Sequence, residues 1–166
     1  MSIISLIQVG QPMPSFVPNS QVGTIGNGGF SSTNIVYDPR FIYIPFQPNA
    51  VNRARVDINC DIISYNFSGC LMTIWREQDG TVYSGHVSTG AGQDCTAFWN
   101  AQKRLYPFVY EFKPSDYLQS WPAGVTYVGC YGMFTFGNFP GGFAAHSIFI
   151  GNTREKGSFV VQVVMI

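Results

Sequence analysis

The stretch LMTIWREQDGTVYSGHV, residues 71–87, decides the fold class of this chain. β-Branched and aromatic residues are frequent in both of its halves, and the tripeptide Gln78-Asp79-Gly80 between them is typical of a hairpin turn. Two strand patterns around such a turn predict an antiparallel hairpin. The rest of the chain must then supply the other strands of the sheet.

Similar patterns occur along the whole chain, as short runs rich in Ile, Val, Tyr, Phe and Thr between clusters of Gly, Pro, Asn and Asp. Such runs predict further strands. They lie at residues 3–9, 34–37, 41–45, 54–59, 108–112, 126–136, 147–150 and 158–165.

Only two segments have the features of helices. Residues 94–105 open on Asp94, a good N-cap residue, and are stopped by Pro107, and a shorter helix is expected from Pro114. Stretches rich in Gly, Pro, Asn and Ser at residues 11–32 and 137–145 predict long surface loops. The predicted fold class is α+β but mostly β: an antiparallel β-sandwich with one or two outer helices and long Gly/Pro-rich loops.

Length and charge restrict the partners of the chain. A chain of 166 residues with 46% hydrophobic residues predicts a single domain over residues 1–166. Its nine acidic and nine basic residues give zero formal net charge, so it lacks the basic surface of a nucleic-acid or anionic-membrane binder, and neither is an expected partner. Residues 1–9 have no basic region and too short an apolar run for a signal peptide, so none is visible.

The four cysteines are Cys60, Cys70, Cys95 and Cys130, and no C-x-x-C spacing occurs among them. Free thiols are therefore favoured over disulfides, and no metal site is expected, because structural zinc sites use closely paired ligands. The glycine-rich residues 23–29 lack the spacing of a nucleotide-binding loop, so no cofactor is expected either.

Histidine is rarer still, with only His86 and His146. The geometry around His86 depends on the predicted hairpin turn. A two-residue turn places His86 opposite Thr73, with Cys70 on the other face. A three-residue turn with a G1 bulge places it opposite Met72, with Cys70 as a diagonal neighbour on the same face. The sequence leaves both registers open.

A Cys70–His86 pair has a clear chemistry. The thiolate is a nucleophile, and a nearby imidazolium lowers the thiol pKa and later returns a proton to the leaving group. Ser68 and Gly69 directly before Cys70 allow close approach of the main chain, whose N–H groups can stabilise an oxyanion. The competing interpretation is that Cys70 and His86 are ordinary core residues. His146 has no cysteine in a comparable hairpin and is expected to be structural.

Residues 64–90 resemble the nucleophile motif of the glutamine deamidase toxins, typified by cytotoxic necrotizing factor and Burkholderia lethal factor. The shared pattern is Phe-Ser-Gly-Cys at residues 67–70, a strand, an acid-Gly turn, a second strand and then His86. The bacterial chemotaxis receptor deamidases are more distantly similar. The family also has a β-sandwich with outer helices and long loops.

This resemblance implies Cys70 as nucleophile, His86 as general base and acid, and the Ser64 hydroxyl as the group that orients the histidine. In some family members a backbone carbonyl takes the last role, which the strand containing Tyr37 could supply here. The implied activity of this single catalytic domain is hydrolysis of a protein glutamine amide to glutamate through a Cys70 thioester, with transglutamination as a close variant. The implied partner is a protein substrate with a target glutamine, such as a host protein met by a secreted effector in the host cytosol.

The alternative function is a non-catalytic, lectin-like β-sandwich binding module. It would use Trp75, Trp99, Trp121 and tyrosines in the glycine-rich loops. Core packing is the simpler explanation of these rings, because a sandwich of this size must fill its interior. Thiol alkylation separates the two functions, since an activated cysteine reacts well below the pKa of about 8.5 of a free thiol.

Overall fold

The computed structural model describes residues 2–137 and 142–166, which form eleven strands and one α-helix. The strands are β1 (Phe30–Ser31), β2 (Val36–Tyr37), β3 (Phe41–Tyr43), β4 (Val51–Arg55), β5 (Asp61–Tyr65), β6 (Leu71–Arg76), β7 (Val82–Val87), β8 (Phe108–Phe112), β9 (Thr126–Phe136), β10 (Phe143–Thr153) and β11 (Gly157–Met165). Helix α1 spans Thr96–Lys103, and 3₁₀ helices span Ile3–Leu6 and Pro114–Tyr117.

The strands form two sheets that pack face to face. The five-stranded sheet has the order β1-β4-β7-β6-β8, and the six-stranded sheet has the order β11-β10-β9-β5-β3-β2. Most neighbouring strands are antiparallel, but β1 pairs with β4 and β3 pairs with β5 in parallel. The predicted mostly β sandwich is confirmed, with one parallel pair in each sheet.

Apolar side chains fill three layers of this sandwich. Met72 and Phe134 belong to the cluster between the two sheets. Ile3 and its neighbours cover the outer face of the six-stranded sheet, and Trp99 of α1 packs on Trp75 at the outer face of the five-stranded sheet. Each such buried side chain contributes about 1.5–3 kcal/mol relative to exposure, so both faces of each sheet stabilise the fold.

The N-terminal segment differs from its prediction. Residues 3–9 were expected to form a strand, but Ile3–Leu6 is a 3₁₀ helix. The carboxylate of Asp61 accepts hydrogen bonds from the Ser2 hydroxyl at 2.8 Å and from the Ile3 N–H at 2.7 Å. These contacts bend the chain into a turn that an apolar run alone does not reveal.

Two strands in the middle of the chain were also predicted wrongly. The strand expected at residues 54–59 lies earlier, at Val51–Arg55, and the strand Asp61–Tyr65 was not predicted. All but the last residue of Asp61–Tyr65 is buried, because this strand has sheet neighbours on both sides and covered faces. It therefore lacks the alternation of apolar and polar residues by which a half-buried strand is recognised.

The helix predicted at residues 94–105 is α1, which is shorter at both ends. Asp94 is not the N-cap residue; Cys95 takes that position, and Asp94 Oδ1 accepts a hydrogen bond of 2.7 Å from the Thr96 N–H. The second predicted helix is one 3₁₀ turn starting at Pro114. The described residues thus contain one outer α-helix.

The two predicted loops have different outcomes. In the loop predicted at residues 11–32, residues 11–29 contain no helix or strand, as expected, but Phe30–Ser31 forms strand β1, which the sequence did not predict. In the loop predicted at residues 137–145, β10 already begins at Phe143. Residues 138–141 of that prediction lie outside the described residues.

Candidate active site between the two sheets

The turn between β6 and β7 fixes the position of His86. The Glu77 N–H donates to the Thr81 carbonyl at 2.8 Å, which encloses a three-residue loop in which Gly80 adopts φ 88°. This conformation is that of a G1 bulge, which favours glycine. His86 consequently pairs with Met72, as the three-residue alternative predicts.

Cys70 lies on the same face of the sheet as His86. It precedes Met72 by two residues, and both side chains belong to the cluster between the sheets. His86 stacks on Phe67, another member of that cluster. Cys70 and His86 are therefore diagonal neighbours on paired strands, a relation in which Cα atoms are typically about 7–8 Å apart.

Ser64 contacts His86 from the opposite sheet. Its Oγ, on β5, lies 2.7 Å from Nδ1 of His86, on β7. The same hydroxyl donates a hydrogen bond to the Ile44 carbonyl. Ser64 and His86 are both fully buried. Two of the predicted site residues are thus in direct contact, and their hydrogen bond connects the two sheets.

The two contacts of Ser64 determine which ring nitrogen of His86 carries the proton. A serine hydroxyl has one hydrogen, and a carbonyl can only accept, so the Ser64 hydrogen points to Ile44. Nδ1 of His86 must therefore be the donor in its contact with Ser64. The other nitrogen, Nε2, is then unprotonated, and it is buried without a hydrogen-bond partner in the described residues.

Two phenylalanine rings enclose the His86 imidazole. The Phe67 ring is stacked on it at 4.1 Å between centroids and 9° between planes, and the Phe46 ring lies at 5.3 Å. Burial lowers the pKa of His86 to about 3, because the charged imidazole has no water around it. The imidazole is therefore neutral at neutral pH in this closed arrangement.

The Cys70 thiol has a polar neighbour in Thr89, whose Oγ1 lies 3.7 Å from Sγ. Burial raises the pKa of the Cys70 thiol, and backbone and hydroxyl hydrogen bonds from Thr89 act in the opposite direction. Cys70 is 7% exposed. No hydrogen bond joins Sγ to Nε2 of His86 within the described residues, so the resting pair is a neutral thiol beside a neutral imidazole.

The motif residues before Cys70 form a tight bend. Asn66 and Gly69 both adopt positive φ, 74° and 129°. The N–H groups of Asn66 and Phe67 share the Cys130 carbonyl at 3.1 Å, and Ser68 is exposed. A φ of 129° strains any residue with a Cβ, so the bend requires glycine at position 69.

The predicted loop at residues 11–32 contributes a wall of the site. The Val22 N–H donates to the Phe46 carbonyl at 2.8 Å, so the loop runs beside the segment that carries the Phe46 ring. This ring contacts His86. The loop is thereby tied to the segment that places this ring on His86.

The surface grooves lie away from the Cys70–His86 pair. One groove of about 810 Å³ is lined by Tyr37 and Ile58, both with exposed side chains. Neither this groove nor two smaller ones of about 360 and 200 Å³ is lined by Cys70 or His86. Tyr37, the predicted alternative source of an orienting carbonyl, lines the large groove. The carbonyl that contacts Ser64 is that of Ile44.

Two of the three tryptophans are core residues. Trp75 and Trp99 are fully buried, and their centroids are 5.0 Å apart under α1. Trp121 is half-buried and donates from Nε1 to the Val125 carbonyl at 2.7 Å. The expectation that these rings serve core packing is confirmed for Trp75 and Trp99.

Sequence reasoning missed three contributors to the site: Ile44, Phe46 and Thr89. Ile44 and Phe46 are about forty residues away from His86 in the sequence, and only the packing of the two sheets brings them to it. Thr89 did leave a signal, because it is a polar residue two positions after the strand that carries His86, and the paired hairpin brings it close to Gly69.

Residues 2–137 and 142–166 contain neither a cluster of metal ligands nor a helix that could span a membrane. No three His, Cys, Asp or Glu residues there are grouped so that they could hold a metal ion. In the same ranges no helix has the length and apolar character needed to cross a membrane. Comparisons with models of known protein families, with curated proteins and with solved structures give no match.

Proposed function

We propose that this chain is a protein glutamine deamidase, a cysteine hydrolase that converts a glutamine side-chain amide to glutamate. The observation that carries the proposal is His86: Ser64 holds its Nδ1, while its unprotonated Nε2 is buried without a partner on the face that carries Cys70. The resemblance of residues 64–90 to the deamidase toxins adds the substrate class. It also adds the partner, a host protein met by a secreted effector in the host cytosol.

The first half of the reaction forms a thioester. Cys70 transfers its thiol proton to Nε2 of His86, and the sulfur forms a bond to the carbonyl carbon of the substrate amide. The imidazolium then donates this proton to the amide nitrogen, the C–N bond breaks, and ammonia leaves. Backbone N–H groups at Ser68, Gly69 and Cys70 are the proposed donors to the oxyanion.

The second half returns the enzyme to its starting state. Water attacks the thioester carbonyl while Nε2 of His86 accepts one of its protons. The C–S bond breaks, and the proton on His86 returns to the Cys70 sulfur. The substrate side chain is left as a glutamic acid, which loses the second proton of the water to the solvent and becomes the carboxylate. An amine in place of water gives the transglutamination variant.

The closed arrangement is the resting state in this mechanism. Catalytic hydrogen bonds in ligand-free enzymes are often long and tighten only in the complex with substrate. Cys70 lies just below the surface between exposed Ser68 and half-buried Thr89. The substrate amide therefore enters from this side, and its carbonyl displaces the Cys70 side chain toward Nε2 of His86.

The test is mass spectrometry of a host-cell lysate incubated with the protein. We expect glutamine residues that show the one-dalton gain of amide hydrolysis, and loss of this gain with Cys70→Ser. Cys60→Ser is the matched control, because Cys60 is another buried free cysteine, at the large groove. A gain that persists in Cys70→Ser, or that never occurs, contradicts the proposal.

A non-catalytic binding module is the second candidate. It is favoured by the closure of the Cys70–His86 pair and by the open groove lined by exposed Tyr37 and Ile58. Alkylation of the native protein separates the two functions. Selective reaction of Cys70 among the four cysteines supports the hydrolase, and inertness of all four supports the binding module.

A further inference from the structure

Thr89 is the one polar side chain that contacts the Cys70 sulfur in the described residues. We propose that Thr89 is a positioning residue that stabilises the Cys70 thiolate through a hydrogen bond from its hydroxyl to Sγ. The catalytic meaning of this inference rests on the proposed function, in which the thiolate is the nucleophile. The contact itself does not depend on it.

The hairpin brings the two residues together. Leu71 pairs with Val87 at the end of the β6–β7 ladder, and Cys70 and Thr89 lie one and two residues beyond this last pair on the two adjacent chains. Oγ1 of Thr89 then lies 3.7 Å from Sγ, within hydrogen-bond distance for sulfur. Gly69 flanks the same hydroxyl, since a Cβ built there lies 3.9 Å from Oγ1.

The thiolate needs this contact because its other neighbours do not favour a negative charge. His86 on β7 is neutral in its buried position, so no imidazolium stands ready to pair with the sulfur. Asp94, in the loop after β7, raises the pKa of the thiol. Only the backbone and hydroxyl hydrogen bonds from Thr89 lower the pKa of this thiol.

A hydroxyl that donates a hydrogen bond to sulfur stabilises the charged thiolate more than the neutral thiol. Loss of the Thr89 hydroxyl should therefore raise the apparent pKa of Cys70 by about one pH unit or more. If Thr89 has a purely structural role, loss of its hydroxyl should change the stability of the protein but not the apparent pKa of Cys70.

The experiment follows the ¹³Cβ chemical shift of Cys70 against pH in protein labelled at cysteine. This readout requires neither substrate nor entry of a reagent. The variants are Thr89→Val, which keeps the shape and removes the hydroxyl, and Thr89→Ser, which keeps the hydroxyl. We expect Thr89→Val to titrate about one pH unit higher than the wild type and Thr89→Ser to titrate with the wild type.

Equal titration of Cys70 in the wild type and Thr89→Val overturns the inference. So does an equal shift in both variants, because the effect is then one of packing. The deamidation assay is scored separately in the lysate. A shifted Cys70 titration in Thr89→Val without any deamidation supports the role of Thr89 and contradicts the deamidase function. Deamidation with an unshifted titration supports the deamidase function and contradicts the role of Thr89.

Discussion

Two buried histidines, one in each sheet, are held by a side-chain hydroxyl, yet they differ in what that hydroxyl connects. His146 on β10 has its Nε2 2.9 Å from Oγ1 of Thr135, on the neighbouring strand β9. His86 on β7 has its Nδ1 2.7 Å from Ser64, which belongs to the other sheet. Burial lowers the pKa of both histidines.

The comparison teaches that burial and a hydroxyl partner do not by themselves mark a catalytic histidine. The bond of His146 joins two strands that already share a long backbone ladder, so it adds little that the sheet lacks. The bond of His86 joins the two sheets, fixes the tautomer and leaves Nε2 without a partner. Only His86 also lies on the face of a cysteine.

The largest expected difference between the two histidines is in stability. His86→Ala removes a ring packed between Phe67 and Phe46 and breaks the link between the sheets, so we expect a loss of about 3 kcal/mol or more. His146→Ala should cost about 1–2 kcal/mol, because one hydrogen bond and less enclosed packing are lost. Urea unfolding of both variants measures this difference, and equal losses contradict the distinction.

The second largest expected difference between His86 and His146 is in how the stability of the protein depends on pH. The pKa of His86 is about 3 in the folded protein and about 6.5 in the unfolded chain. Between these two pH values, the unfolded chain binds a proton on His86 that the folded protein does not bind. The stability due to this difference is fully present above about pH 6.5 and is lost as the pH falls toward about 3. Between about pH 7 and about pH 5 the loss amounts to about 2 kcal/mol.

His86→Gln should remove this part of the pH dependence, whatever the substitution costs at neutral pH. His146→Gln should change the slope of the free energy of unfolding against pH less than His86→Gln does, although burial also lowers the pKa of His146. Urea unfolding at both pH values gives the slope for each variant. A slope that stays unchanged in His86→Gln contradicts the buried, neutral state of His86.

The hydroxyl partners offer a smaller and sharper test. Ser64→Ala leaves both Nδ1–H of His86 and the Ile44 carbonyl without a partner, for an expected loss of about 2 kcal/mol. Thr135→Val removes one hydrogen bond near His146 and should cost about 1 kcal/mol. If the two variants unfold at the same urea concentration, the link between the sheets is no stronger than a bond within one sheet.

The smallest expected effect concerns the bend that holds Phe67 on His86. Asn66 adopts φ 74°, a region open to glycine and tolerated by asparagine. Asn66→Gly should change stability by no more than about 0.5 kcal/mol, whereas Asn66→Ala should cost about 1 kcal/mol. Thermal unfolding of the pair checks this order, and a reversed order shows that the bend relaxes.

The sequence predicts best where one short segment determines the geometry. The β6–β7 hairpin was predicted because both strands and their turn are contiguous, and only the turn length was left open. The strand Asp61–Tyr65 was missed because burial on both faces removes its alternation. The N-terminal 3₁₀ helix was missed because its start is held by hydrogen bonds from Ser2 and Ile3 to Asp61, which is far away in the sequence.

The candidate site shows the same difference between residues that a short sequence motif identifies and residues that only tertiary packing brings together. The motif resemblance named Cys70, His86 and Ser64, and the structure brings Ser64 into contact with His86. Phe46 was not predicted, because its position depends on how two sheets pack and no local pattern encodes that. Thr89 was overlooked although its place two residues after the strand that carries His86 was visible.

The central claim is that Ser64 holds His86 as a neutral base with a free Nε2. The ¹⁵N NMR spectrum of the His86 ring at neutral pH tests this claim most directly, because protonated and unprotonated ring nitrogens have well separated shifts. The account predicts a protonated Nδ1 and an unprotonated Nε2, and a change in this pattern in Ser64→Ala. A protonated Nε2, in the neutral ring or in an imidazolium, contradicts it.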